Sequence, residues 1–215
     1  MRIVICGDST AASYDPAETC MRGWGQELGA FLPGAEIRNH AKAGRSTRTF
    51  QEEGRLAAAA ADLEPGSLML IQFGHNDENL AKPERYVEPL RDYPARLEAF
   101  VRAAWDRQAR PILMTPICIR DWQDGTLRET HGVYPDSVRR TAARLKVPCI
   151  DLYADSLDIV RSLGESGSEK LFMNLAPGED PREPEGRKDN AHTRQAGARA
   201  FAERVALHLR EMGEI

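Results

Sequence analysis

The chain has 215 residues, enough for one sizeable domain (1–215) with a complete core and too few for two comfortable ones. Its 41% hydrophobic and 29% charged residues exclude a disordered or collagen-like protein. A formal net charge of −4, with arginines interleaved among acids, gives no electrostatic case for nucleic acid or an anionic membrane as partner.

Residues 2–6 (Arg2, Ile3, Val4, Ile5, Cys6) read as a buried strand, β-branched in the middle and ending at Gly7. Trp24, Leu28, Phe31 and Leu32 fall at helical spacing across 23–32, which Pro33-Gly34 closes. Residues 35–39 are weakly apolar and suit an edge strand. The alanine-rich stretch 47–63 predicts a helix that Pro65-Gly66 ends. Residues 67–73 are apolar on both faces, as in the middle of a parallel sheet. Pro94 fits the first turn of a helix running through Trp105, and 111–115 is a fourth strand. Pro135 opens a helix that includes Leu145, and 147–151 is a fifth strand. From about Thr193 a last helix lines up Ala198, Phe201, Val205 and Leu209.

Strands alternating with helices predict an α/β protein with a five-stranded parallel sheet and helices on both faces. Two longer irregular stretches, 117–134 and 176–190, follow elements whose C-terminal ends should lie on the ligand side, where ordered loops are commonly functional. The apolar core of the first strand is too short for a signal sequence or a membrane span. The four cysteines lack CxxC spacing, and Cys6, Cys118 and Cys149 lie in or beside strand-like runs. Buried thiols are therefore expected rather than disulfides or zinc ligands, and a reducing cytoplasm is the expected compartment.

Gly7-Asp8-Ser9-Thr10 puts a serine just past the first strand, where open α/β sheets hold their ligands. Taken alone, the same residues equally well make a helix cap. Asp189-Asn190-Ala191-His192 supplies what a serine nucleophile needs, a histidine base and a carboxylate to orient it. Three residues apart on a helical turn, Asp189 and His192 can meet. Gly44, after the second strand, can bring a backbone N–H close to a ligand, and Asn76, after the third, offers an amide. With the Ser9 N–H they can form an oxyanion hole, although turn glycine and turn asparagine are the plain alternatives. Position favours chemistry, because all three follow consecutive strands at one sheet edge.

These four blocks, in this order, resemble the SGNH (GDSL-like) hydrolase family over nearly the whole chain. The resemblance implies a three-layer α/β/α, flavodoxin-like fold. It implies Ser9 as nucleophile, His192 as base, Asp189 as its orienting acid, and an oxyanion hole of Ser9 N–H, Gly44 N–H and the Asn76 side chain. Gly7-Asp8-Ser9-Thr10, Gly23-Trp24-Gly25, Thr115-Pro116, the 130–135 stretch and Asp189-Asn190-Ala191-His192 look most like the rhamnogalacturonan acetylesterases. Thr193, where members often carry an aromatic, departs from that pattern. The implied reaction removes O-acetyl groups from acetylated carbohydrate without metal or organic cofactor. With no secretion signal in view, imported oligosaccharides are the expected substrates.

Further contacts to substrate are expected from Arg45 and Arg120, since guanidinium suits a uronate carboxylate, and from His131, Trp122 and Tyr134 in the long loop. Trp122 and Tyr134 can equally anchor that loop to the core, and Arg128 reads better as a solvated arginine. His75 is expected to orient its block by a hydrogen bond, and His208 to lie at a helix boundary. The histidines have no HxH or HExxH metal spacing. Two other functions fit the same elements: a lysophospholipase or thioesterase acting on another acyl ester, and a non-enzymatic flavodoxin-like domain that binds an anion.

Overall fold

A computed structural model describes residues 1–215. The strands and helices, in chain order, are β1 (Arg2–Gly7), α1 (Trp24–Glu27), β2 (Glu36–Asn39), α2 (Thr47–Glu52), α3 (Arg55–Ala61), β3 (Leu68–Gln72), α4 (Asp92–Trp105) and β4 (Arg110–Met114). They continue with β5 (Trp122–Gln123), β6 (Thr126–Leu127), α5 (Tyr134–Leu145), β7 (Cys149–Ile150), α6 (Leu152–Ser168), β8 (Phe172–Leu175), β9 (Arg187–Thr193) and α7 (Gln195–Glu211). Five strands form one parallel sheet in the order β2-β1-β3-β4-β7. This is the doubly wound order in which the connections change direction at β1/β3, leaving a crevice at their C-terminal ends.

Alternation along the central strands builds both faces of the sheet. Ile3, Ile5, Leu68, Leu70, Ile112 and Met114 face one way, into a core completed by Trp24, Val160, Phe201 and Val205 from α1, α6 and α7. Val4, Cys6, Met69, Ile71 and Leu113 face the other, against Phe50, Phe100, Val101 and Val138 from α2, α4 and α5. Every residue of β3 is buried, as a run apolar on both faces requires. The result is the expected three-layer α/β/α arrangement. Cys6 and Cys118 are buried and Cys149 is half-buried.

Several elements differ from the sequence expectations. The helix expected over 23–32 shrinks to α1 and a 3-10 turn at Leu28–Ala30. The one expected over 47–63 is cut into α2 and α3 at Gly54, whose backbone is left-handed (φ +72°). Residues 152–175 carry α6 and β8, neither of which the pattern suggested. The loop 117–134 holds a two-stranded ribbon, β5 with β6. The stretch 176–190 ends in β9, which pairs antiparallel with β8 beside the main sheet. Asp189 and His192 therefore sit on a strand and not on a helical turn. No helix is long and apolar enough to cross a membrane.

Candidate active site

Ser9 follows β1 by two residues, at the crevice, and its turn is held from several sides. The Tyr14 hydroxyl donates to the Ser9 carbonyl at 2.8 Å. Trp24 N–H donates to the Thr10 carbonyl, and the Trp24 indole to Gln72 Oε1 at 2.9 Å. The Thr10 N–H donates to Asp8 Oδ1 at 2.9 Å, curling the chain under the serine. A Cβ on Gly23 would stand 2.3 Å from the Ala12 carbonyl oxygen, so only glycine lets this segment press so closely on the serine turn.

A straight strand sends residues i and i+3 to opposite faces. Here Asp189 Oδ1 accepts from the N–H groups of Ala191 and His192, each at 3.0 Å, and the β8–β9 register shifts between Phe172 and Met173. That curl brings Asp189 Oδ2 within 2.7 Å of His192 Nδ1. A carboxylate only accepts, so it fixes the proton on Nδ1 and leaves Nε2 to accept from the Ser9 hydroxyl at 2.9 Å. Burial alone would raise the Asp189 carboxyl. The His192 side-chain and backbone hydrogen bonds and its charge outweigh burial, and hold the group well below the usual carboxylate range.

The loops after β2 and β3 flank Ser9 and are tied to each other. Gly44 turns with φ +78°, a conformation costly to any residue with a Cβ. Asn76 Nδ2 donates to the Arg45 carbonyl at 3.2 Å. Asp77 Oδ1 accepts from Thr47 N–H at 2.9 Å and from the Thr47 hydroxyl at 2.5 Å. The Gly44 and Asn76 loops are thus joined at three hydrogen bonds. Such a serine–histidine–carboxylate chain, beside a glycine turn and an amide donor, is equipped for acyl transfer.

Residues 5–200 match the profile of the GDSL-like Lipase/Acylhydrolase family. The chain belongs to that family. It is 39% identical over 215 residues to the rhamnogalacturonan acetylesterase RhgT of Bacillus subtilis (strain 168), covering 99% of this chain and 91% of that protein. It is 36% identical over 212 residues to the probable rhamnogalacturonan acetylesterase YesY of the same organism, covering 98% and 93%. Among solved structures, the Bacillus subtilis protein YxiM superposes with a TM-score of 0.82 at 27% identity; the match covers 98% of this chain and 56% of that one. A GDSL-like acylhydrolase with these relatives is a carboxylic ester hydrolase.

The other expected contact residues of this GDSL-like hydrolase have their side chains engaged within the protein. His131 is buried, its Nδ1 on Glu78 Oε2 and its Nε2 on the Ile117 carbonyl, each at 2.8 Å. Tyr134 is buried too, and its hydroxyl lies between the carbonyls of Val87 and Asp77. The Trp122 indole donates to Ser168 Oγ. These three side chains brace the long loop instead of presenting groups to a ligand. Arg45 forks onto Glu53, and Arg120, 6% exposed, holds Ser168 and Asn190. Arg128 pairs with Asp121, His40 with Asp62, and His208 with Asp155. Thr193 points inward and donates to the Arg22 carbonyl, so its departure from the family pattern is internal.

His75 makes no hydrogen bond from either ring nitrogen. It stacks edge-on with His131, and its Nδ1 lies 3.8 Å from Asp8 Oδ2. Burial keeps its imidazole neutral, well below the usual range, and raises the Asp8 carboxyl. No group of three or more His, Cys, Asp or Glu side chains is disposed to hold a metal ion.

Sequence reasoning passed over Tyr14, Arg85 and Arg187. Arg187 Nη2 shares Asp189 Oδ2 with His192, at 2.7 Å. The signal for it is its place two residues before Asp189, on the same face once 187–193 is read as a strand.

Asp77 carries a pH-dependent consequence. Burial pushes its carboxyl up to about 8 despite the Thr47 hydrogen bonds. The unfolded chain gives up that proton near pH ~4, so between there and about 8 the folded state binds the extra proton and stability falls as pH rises. Asp77→Asn keeps the acceptor for Thr47 and is expected to flatten this decline. Thermal midpoints measured from about pH 5 to about pH 8 check it, and parallel declines in both proteins would refute it.

Proposed function

We propose that this GDSL-like hydrolase removes O-acetyl groups from acetylated carbohydrate, with Ser9 as nucleophile, His192 as base and Asp189 orienting His192. The observation that carries the reading is the hydrogen-bonded run from Ser9 Oγ through His192 to Asp189, at 2.9 and 2.7 Å, at the sheet's crevice. Ser9 gives its proton to His192 Nε2 as Oγ attacks the acetyl carbonyl. Ser9 N–H, Gly44 N–H and the Asn76 amide receive the oxyanion. His192 passes the proton to the departing sugar hydroxyl, leaving an acetyl-serine. A water then attacks the acetyl carbon as His192 Nε2 takes its proton; acetate leaves as His192 returns that proton to Ser9 Oγ.

The carbohydrate part of the reading draws on the relatives named as rhamnogalacturonan acetylesterases, both matched along nearly their whole length. The groups beside the Gly44 turn, the Arg45 carbonyl and the Asn76 amide tied to Arg85, are polar and favour a polar substrate over a long acyl chain. A cavity of about 530 Å³, lined by Met1, Leu32, Pro33 and Ile215, opens at the opposite end of the sheet. It offers Ser9 no acyl channel.

The test is acetate release from a panel of acetylated pectic and xylan oligosaccharides, set beside esters of increasing acyl length, with Ser9→Ala as blank. Acetyl groups on pectic oligosaccharides are expected to be released fastest. Preference for long acyl chains would overturn the reading in favour of a lipid or thioester substrate.

A further inference from the structure

The Arg85 guanidinium lies over the Gly44 turn. Its Nη1 is 3.3 Å from the point where a Cβ on Gly44 would stand, and Nη2 is 3.5 Å from it. The same Nη1 donates to Asn76 Oδ1 at 3.3 Å, while Asn76 Nδ2 donates to the Arg45 carbonyl. Glycine at 44 thus serves two purposes, the positive φ of the turn and room for the guanidinium.

An asparagine amide can turn over with little change in shape, exchanging oxygen for nitrogen. Here its two neighbours forbid that. Guanidinium has donors only and a carbonyl is an acceptor only, so the reversed amide would set donor against donor and acceptor against acceptor. One Nδ2 proton goes to Arg45, and the second is left for a ligand. The cation at Oδ1 also draws charge from the amide and strengthens that remaining N–H as a donor.

We propose that Arg85 is a positioning residue for the oxyanion hole, fixing the orientation of the Asn76 amide and strengthening its donor. The inference rests on the reading of Asn76 as an oxyanion donor. Arg85 itself acts through Asn76. Its side chain is 28% exposed, and its one ion-pair neighbour is Glu84 at 3.7 Å, so replacing it disturbs little else.

The test is a double-mutant cycle on an uncharged acetate ester, with kcat and KM read separately. Asn76→Ala is expected to lower kcat by ~100- to 1,000-fold. Arg85→Met is expected to lower kcat by roughly 10- to 100-fold, with KM within about two-fold of native. In the Asn76→Ala background the Arg85 change should cost less than about two-fold more. Arg85→Gln, which keeps a donor for Oδ1 but no charge, should fall between native and Arg85→Met, and it serves for the cycle if the methionine variant does not fold.

Full additivity of the two losses, or a rise in KM with kcat unchanged, would overturn the inference and leave Asn76 in its role. An unchanged kcat in Asn76→Ala would instead remove the oxyanion assignment itself, and Arg85 with it.

Discussion

Alanine at Ser9 is expected to lower kcat on a small acetate ester by about a million-fold, because nucleophile and base act as a unit. Ser9 is 7% exposed, and the substitution removes one hydroxyl whose hydrogen-bond partner is His192 Nε2. The turn around it stands on main-chain and neighbouring groups: Tyr14 on the Ser9 carbonyl, Trp24 on the Thr10 carbonyl and Thr10 N–H on Asp8. The melting temperature should therefore stay near that of the native chain while turnover disappears. Covalent labelling by a fluorophosphonate, which needs an activated serine, should vanish with it. Turnover within about ten-fold of native would remove Ser9 from the mechanism.

Asp189→Asn should cost about 10,000-fold in kcat, the scale set by an imidazole held in the wrong tautomer. Asp189 Oδ2 faces two donors, His192 Nδ1–H and the Arg187 guanidinium, both at 2.7 Å. An amide NH₂ there opposes one or both of them. The opposite rotamer puts NH₂ against the backbone N–H groups of Ala191 and His192. Either choice loosens the histidine. A loss below about ten-fold would show that His192 needs no carboxylate.

The same carboxyl shapes the pH profile. It stays ionised well below the usual carboxylate range, so protonation of Asp189 does not set the acid limb. Activity of the native enzyme is expected to fall on acidification, because the proposed base can accept the Ser9 proton only while its Nε2 is free. A profile flat down to about pH 4 would exclude histidine as the base.

The parallel sheet is legible in the sequence because its central strands meet two helical layers and so carry apolar residues without a break, as in residues 68–71. Ser9, Gly44 and Asn76 are legible as candidates for a related reason: each follows one of the first three strands, and adjacent parallel strands end on the same side. β9 is hidden. Arg187, Lys188, Asp189 and Asn190 have neither β-branching nor alternation, and pairing with Phe172–Leu175 makes them a strand. The helix α6 is masked by Gly164, Ser166, Gly167 and Ser168, all weak helix formers that tertiary packing overrides. Tyr14 and Arg85 act through contacts within their own loops and Arg187 through a neighbour on its own strand, and residue type alone assigns them nothing. His131 and Tyr134 show the converse, since side chains suited to a sugar serve as well to brace a loop.

The antiparallel ribbon of β8 and β9 divides the chemistry between two pieces of the molecule. Asp189 and His192 ride on one short segment, whereas Ser9 belongs to the turn after β1. Hydrogen bonds within β9 itself hold Asp189 to His192. Ser9 Oγ and His192 Nε2 come together where the ribbon lies against the segment after the Ser9 turn, stitched by the Met21–Arg194 bridge and by Arg22 N–H on the Thr193 carbonyl. The distance between serine and histidine is thus set by the packing of one small antiparallel ribbon and not by the parallel sheet itself.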